Sequence, residues 1–261
     1  MTEYAPIAPI DCLLKIQQAG FLGNYLVLLA HEVVAEAEKY EKLIENFSGT
    51  IILDNSLIEL GEPVDVETMI AAVDITGADY CVLADKLLDM DGTIESSTTA
   101  LRQWKEFGLN SGYVIVAQGK TVRECLTCVE SIVQELEEDD KYIISIPRAL
   151  VNELGSRMPV IEGLIQIGFD DIPIHLLGFS SNYHDDITCT RHPNVMGIDS
   201  ATPIRLGFEG KVLPISSSEA DSAAYLQRER EDFFKNCKSF NSLTAYNIGM
   251  VRGAIRVFWD K

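Results

Sequence analysis

The stretch Tyr113–Pro147, YVIVAQGKTVRECLTCVESIVQELEEDDKYIISIP, decides the fold. It opens with a continuous apolar run, YVIVAQG (113–119), and closes with another, YIISIP (142–147). Continuous rather than alternating apolar residues mark strands buried on both faces. Between them, TVRECLTCVESIVQELEE (121–138) has its apolar residues at helical spacing. Strand, helix, strand in about thirty-five residues reads as one parallel unit with a right-handed helical crossover.

The same unit recurs outward in both directions. Further strand-like runs are YLVLLA (25–30), TIILD (50–54), YCVLAD (80–85), IPIHLLG (172–178) and NVMGID (194–199), with KVLPI (211–215) as a weaker eighth. Helical patterns fill 31–47, 64–77, 95–108 and 159–168. Seven or eight such units predict a closed (β/α)8 barrel of the TIM type, a single domain over 1–261. Two helices, about 219–238 and 241–258, are expected to follow it.

Composition narrows the function. The chain is 47% hydrophobic, enough for a large core, and its formal net charge is −19. Such acidity argues against a generally basic wrapper of nucleic acid. It is uneven, with 34 Asp and Glu against 13 Lys and Arg up to Gly210, and 6 against 8 from Lys211 on. Neither a leader peptide nor a membrane-spanning stretch is expected, which suggests a cytoplasmic protein. The six cysteines, Cys12, Cys81, Cys125, Cys128, Cys189 and Cys237, read as reduced thiols, and Cys125 and Cys128 as helix-face residues rather than a redox or metal pair. His184, Cys189 and His192 cluster in HDDITCTRH, but a fourth zinc ligand is missing. His175, inside an apolar run, reads as a core histidine.

In a barrel of this kind the chemistry sits at the C-terminal ends of the strands. The polar residues ending the runs are Asp54, Asp85, Gln118 followed by Gly119, and Asp199. Any one of them alone reads as a turn or helix cap. Four on successive strand ends predict one mouth lined by three carboxylates and an amide.

These strand ends resemble the tRNA-guanine transglycosylase superfamily, barrels that exchange guanine for a deazaguanine base. The family's nucleophile motif, Asp, three residues, Pro, one residue, Arg, is similar to Asp199-Ser200-Ala201-Thr202-Pro203-Ile204-Arg205. HLLGFS (175–180) resembles its Leu-Met-Gly strand end, and VIVAQG (114–119) its Val-Gln-Gly strand. The resemblance covers about 50–205 and implies Asp199 as nucleophile and Asp54 as proton carrier. It implies Asp85, Gln118 and Gly119 as readers of the base, Arg205 as a group holding a phosphate or steadying Asp199, and Asn55 and Ser56 as pocket residues. No cofactor and no metal are called for.

The chain also departs from the family. Asn55-Ser56-Leu57-Ile58-Glu59 replaces a glycine-containing stretch after the first Asp, and ISIPRAL (144–150) replaces a Gly-rich strand. The zinc subdomain's Cys and His cluster has no counterpart after Asp199, where only Cys237 remains. The compact form is most similar to phage enzymes that place deazaguanines in DNA. The implied partners are a deazaguanine base and guanine-containing nucleic acid, DNA above tRNA, with no membrane. Arg191, Arg205, Lys211, Arg228, Arg230, Lys235, Lys238, Arg252 and Arg256 are candidate backbone contacts. A glycosylase or transferase for a small nucleoside or nucleotide, and an inactive barrel used for binding, stay open, as does the oligomeric state.

Overall fold

The computed structural model describes residues 2–180, 182–213 and 240–256. Eight parallel strands form one sheet in the order β1-β8-β7-β6-β5-β4-β3-β2. They are β1 (Glu3–Pro6), β2 (Tyr25–Leu29), β3 (Thr50–Asp54), β4 (Tyr80–Val82), β5 (Gly112–Val116), β6 (Tyr142–Pro147), β7 (Ile174–Leu177) and β8 (Val195–Ser200). The sheet's two ends, β1 and β2, lie side by side, so the barrel is nearly closed.

Helices alternate with the strands. α1 is Ile10–Gln18, α2 Ala30–Ala35, α3 Ala37–Ile44, α4 Leu57–Leu60, α5 Val66–Thr76 and α6 Met90–Glu106. α7 is Val122–Val133, α8 Leu150–Leu154, α9 Met158–Gln166, α10 Tyr183–Cys189, α11 Thr202–Phe208 and α12 Ser242–Arg256. Side-chain caps fix several starts. Asp65, Asp89, Thr121 and Asn182 each accept the backbone N–H three residues on, which satisfies a donor the first turn leaves open.

All five residues of β2 and of β5 are buried, as continuous apolar runs require when helices cover one face and the barrel core fills the other. The eighth strand of the sheet lies at the N-terminal end of the chain, and residues 214–215 of the expected run lie outside the described residues. Lys211, Val212 and Leu213 form no strand, and the place is taken by β1, whose register pairs Ala5 with Asp199 and Pro6 with Ser200. β1 has a ladder partner on one side only, so a proline at its end costs no shared hydrogen bond. The helical pattern over 31–47 is split at Glu36, where φ −127° and ψ 39° leave the helical region. The helix read at 95–108 begins five residues earlier, behind the Asp89 cap. Of the two expected C-terminal helices, the later is α12, which packs on α11 and β1; the region 219–238 lies outside the described residues. No helix among the described residues is long and apolar enough to cross a membrane.

Candidate active site

Asp54 is the last residue of β3, Asp85 follows β4, Gln118 follows β5, and Asp199 is the fifth of six residues in β8. All four therefore lie at the C-terminal end of the barrel, and Asp85 and Asp199 are both near enough to Asp54 to act on it as charges. Sequence reasoning expected this convergence.

Asp85 is buried and held from both sides. Asn55 Nδ2 donates to Oδ1 at 2.7 Å, and Gln118 Nε2 donates to Oδ2 at 2.6 Å. Both amides are oriented by backbone groups. Asn55 Oδ1 accepts the Leu57 N–H while Nδ2 also donates to Leu83 O, and Gln118 Oε1 accepts the Leu88 N–H. With their oxygens engaged, the amides present only N–H to Asp85, which acts as the acceptor. Burial raises the Asp85 pKa, and the two amide hydrogen bonds oppose that rise. Gln118 and Asn55 thus spend one amide hydrogen each on Asp85, a use the sequence did not reveal. Gly119 packs on the start of α7, where a Cβ would meet Glu124 Cβ at 2.6 Å.

The surroundings of Asp54 oppose its ionisation. Burial pushes its pKa well above the usual carboxylate range, and the charges of Glu59, Asp199 and Asp85 push the same way. The Ser56 N–H, donating to Asp54 Oδ1 at 2.7 Å, opposes them. Ser56 and Leu88 are the non-glycine residues with left-handed backbones among those described, at φ 62° and 56°. Each donates its N–H to a polar side chain of the mouth, Asp54 or Gln118. Such strain persists where surrounding contacts over-determine it. Ser56 Oγ is buried with no hydrogen-bond partner among the described residues.

Asp199 is held by one oxygen. Oδ1 lies 2.9 Å from His175 Nε2 and accepts the Gly178 N–H at 2.9 Å. His175 is buried, as expected of a core histidine, yet it touches the candidate nucleophile directly. A lone histidine in an otherwise apolar strand was the available signal. Gly178 is held in turn by Arg157, whose Nη1 donates to Gly178 O at 3.0 Å and to Ile146 O at 3.2 Å. Arg157 Nη2 pairs with Asp186 Oδ1 at 2.6 Å, both side chains fully buried.

Arg205 has a partner on its own helix. It is buried in α11 and pairs with Glu209 at 2.9 Å, one turn along its own helix, where the i, i+4 spacing favours the pair. Lys211 pairs with the same Glu209 at 2.9 Å. Arg228, Arg230, Lys235 and Lys238 lie outside the described residues. His184 is exposed and Cys189 buried, its Sγ 3.8 Å from Asp185 Oδ2. Among the described residues no three His, Cys, Asp or Glu side chains are grouped to hold a metal. Burial raises the Cys125 thiol to about 12 and Cys128 to about 11, which suits packing rather than thiolate chemistry. A cleft of about 560 Å³ beside α5 and α6, walled by Met69 and Trp104, reaches this network only at Asn55.

No family model matches the chain, and no curated protein does. Among solved structures it is similar to the D-psicose 3-epimerase of Clostridium cellulolyticum H10, at a TM-score of 0.55 and 11% identity over 99% of each chain. A dihydrodipicolinate synthetase candidate from Pseudomonas aeruginosa matches at 0.50 and 10% identity, over 98% of this chain and 84% of that one. At such identities the likeness establishes the barrel fold and nothing about substrate.

Proposed function

We propose that this protein is a base-exchange transglycosylase that replaces guanine by a 7-deazaguanine derivative in DNA. The observation that carries the reading is a pair of carboxylates at one end of the barrel in different surroundings: burial opposes ionisation of Asp54, whereas one oxygen of Asp199 meets both His175 Nε2 and the Gly178 N–H. Such a pair can divide the work, the first moving the proton and the second attacking as the anion.

The chemistry then balances in two halves. Asp199 Oδ2 attacks the sugar C1′, the C1′–N9 bond breaks, and its electron pair leaves with guanine. Asp54 supplies the proton that neutralises the departing base, and is left as a carboxylate. In the second half Asp54 takes the N9 proton of the incoming base, N9 forms the new bond to C1′, and Asp199 is released as a carboxylate. This is the double displacement of a retaining glycosidase with a base in place of water. Asp85, acceptor-only between its two amides, suits the N1–H and exocyclic amine of a guanine-like edge. In duplex DNA the target nucleotide would first leave the stack.

A second reading, a glycosylase or transferase for a free nucleoside or nucleotide, is favoured by charge. The net charge is −19, and the candidate rim cations Arg205 and Lys211 are both drawn to Glu209. Incubation with radiolabelled guanine separates the readings. Label entering oligodeoxynucleotides, and not tRNA or free nucleosides, supports the first; label entering nucleosides alone supports the second. No label in any substrate would exclude base exchange, and release of free guanine would then separate a hydrolytic glycosylase from a binding protein.

A further inference from the structure

Behind Asp199 the barrel interior contains a chain of hydrogen bonds that the two-carboxylate chemistry does not require. Tyr25, the first residue of β2, places its hydroxyl 2.7 Å from His175 Nδ1, and His175 Nε2 lies 2.9 Å from Asp199 Oδ1. Tyr25 and His175 are both buried. The tyrosine crosses to His175 because position 197 of β8 is glycine. A Cβ there would come within 2.3 Å of Tyr25 Cε1. A glycine two residues before the nucleophile thus admits the ring.

With His175 as a neutral ring and Asp199 as the carboxylate that attack requires, the chain has one direction. Asp199 as a carboxylate can only accept, so His175 Nε2 carries the hydrogen between them. His175 Nδ1 is then the lone-pair nitrogen and needs a donor, which the Tyr25 hydroxyl supplies. Burial and the Asp199 charge both raise the Tyr25 pKa, keeping the phenol protonated and able to donate. Gly178 N–H is the second donor to Oδ1, and no described residue hydrogen-bonds Oδ2. Both restraints therefore fall on one oxygen and leave the other to the substrate.

We propose that Tyr25 and His175 are positioning residues that fix the rotation of the Asp199 carboxylate, Tyr25 by selecting the histidine tautomer and His175 by occupying Oδ1, so that Oδ2 is the attacking atom. The proposal rests on Asp199 being the nucleophile of the reading above. It adds that the attack depends on a β2 residue with no contact to substrate. A fixed carboxylate begins each turnover near its attack geometry, and misplacement of a reacting atom by about 1 Å costs on the order of 100-fold in rate.

The test is a double-mutant cycle with a tautomer measurement. Tyr25→Phe keeps the ring beside Gly197 and removes only the hydroxyl. His175→Gln offers an Nε2–H at similar reach with no ring tautomer to select. Single-turnover adduct formation is followed on a guanine-containing oligodeoxynucleotide, and the His175 ring nitrogens are observed by 15N NMR without substrate. Tyr25→Phe should slow adduct formation about tenfold, within the range of such misplacement, with KM for the oligonucleotide unchanged. It should add nothing in the His175→Gln background, because Tyr25 acts only through the ring. The wild-type ring should be the Nε2–H tautomer, and Tyr25→Phe should shift Nδ1. Additive effects, a Tyr25→Phe rate equal to wild type, or an Nδ1–H tautomer would overturn the proposal. If wild type forms no adduct, the base-exchange reading fails, and the tautomer measurement alone decides the orientation of the chain.

Discussion

Arg157 and Asp186 form an ion pair of 2.6 Å in which both side chains are wholly buried, and Asp186 also accepts the N–H and hydroxyl of Ser180. The pair ties α9 to α10 and fastens the turn at Gly178, whose N–H holds Asp199. Arg157→Met leaves Asp186 charged and unpaired, a loss of about 3–5 kcal/mol of folding stability. Adding Asp186→Leu should recover only part of that loss, since it removes the unpaired charge but leaves the Ser180 N–H and hydroxyl without their acceptor. The rate should stay low in the double variant, because Gly178 loses its anchor. Denaturant unfolding and exchange kinetics on both variants separate the two roles.

Asp85→Asn places an amide between two amides that already present N–H. One of its contacts becomes donor against donor. An unsatisfied buried donor costs about 1–3 kcal/mol. Stability in urea should fall by that amount. KM for guanine should rise while the covalent step on the nucleic acid persists, since Asp199 is untouched.

Asp54 makes stability depend on pH in an unusual direction. Its folded pKa lies well above its ordinary value of 3.8, mainly through burial. Its contribution is fully present below the unfolded pKa and is lost as pH rises through the folded one. Asp54→Asn removes that loss. The variant should gain stability relative to wild type as pH rises above about 4 and on through the folded pKa. A stability difference independent of pH in thermal melts would contradict the assignment. Exchange activity should be abolished in the same variant, because an amide can neither give nor take the proton.

Gly197→Ala should disturb Asp199 through Tyr25. The new Cβ would meet the tyrosine ring, so the ring must move. Overpacking of this kind costs about 1–3 kcal/mol. Adduct formation should fall at least as far as in Tyr25→Phe, and the His175 15N shifts should change in the same direction.

Much of the fold was legible because burial on both faces leaves long apolar runs, as in β2, β5 and β6. β1 was not, since Glu3-Tyr4-Ala5-Pro6 is short and ends in proline, and its strand character comes from pairing with β8. Lys211, Val212 and Leu213 open a run of strand-like composition yet form no strand, as tertiary pairing decides such weak segments. The four polar strand ends were readable because a barrel brings strand ends together whatever the intervening sequence. Their hydrogen bonds were not. Gln118 turned toward Asp85, Arg205 toward Glu209, and His175 toward Asp199 are outcomes of register and rotamer. Only the isolated polarity of His175 hinted at any of them.

If Asp199 is the nucleophile, it becomes covalently joined to the sugar, and trapping reveals that bond. Wild-type protein incubated with a guanine-containing oligodeoxynucleotide and a deazaguanine base should yield an adduct that survives denaturation, and peptide mapping should place it on Asp199. Asp199→Asn, close in size but without the anionic oxygen, should give neither adduct nor exchange while still binding guanine. An adduct mapped to Asp54, or full exchange by Asp199→Asn, would show that Asp199 is not the nucleophile.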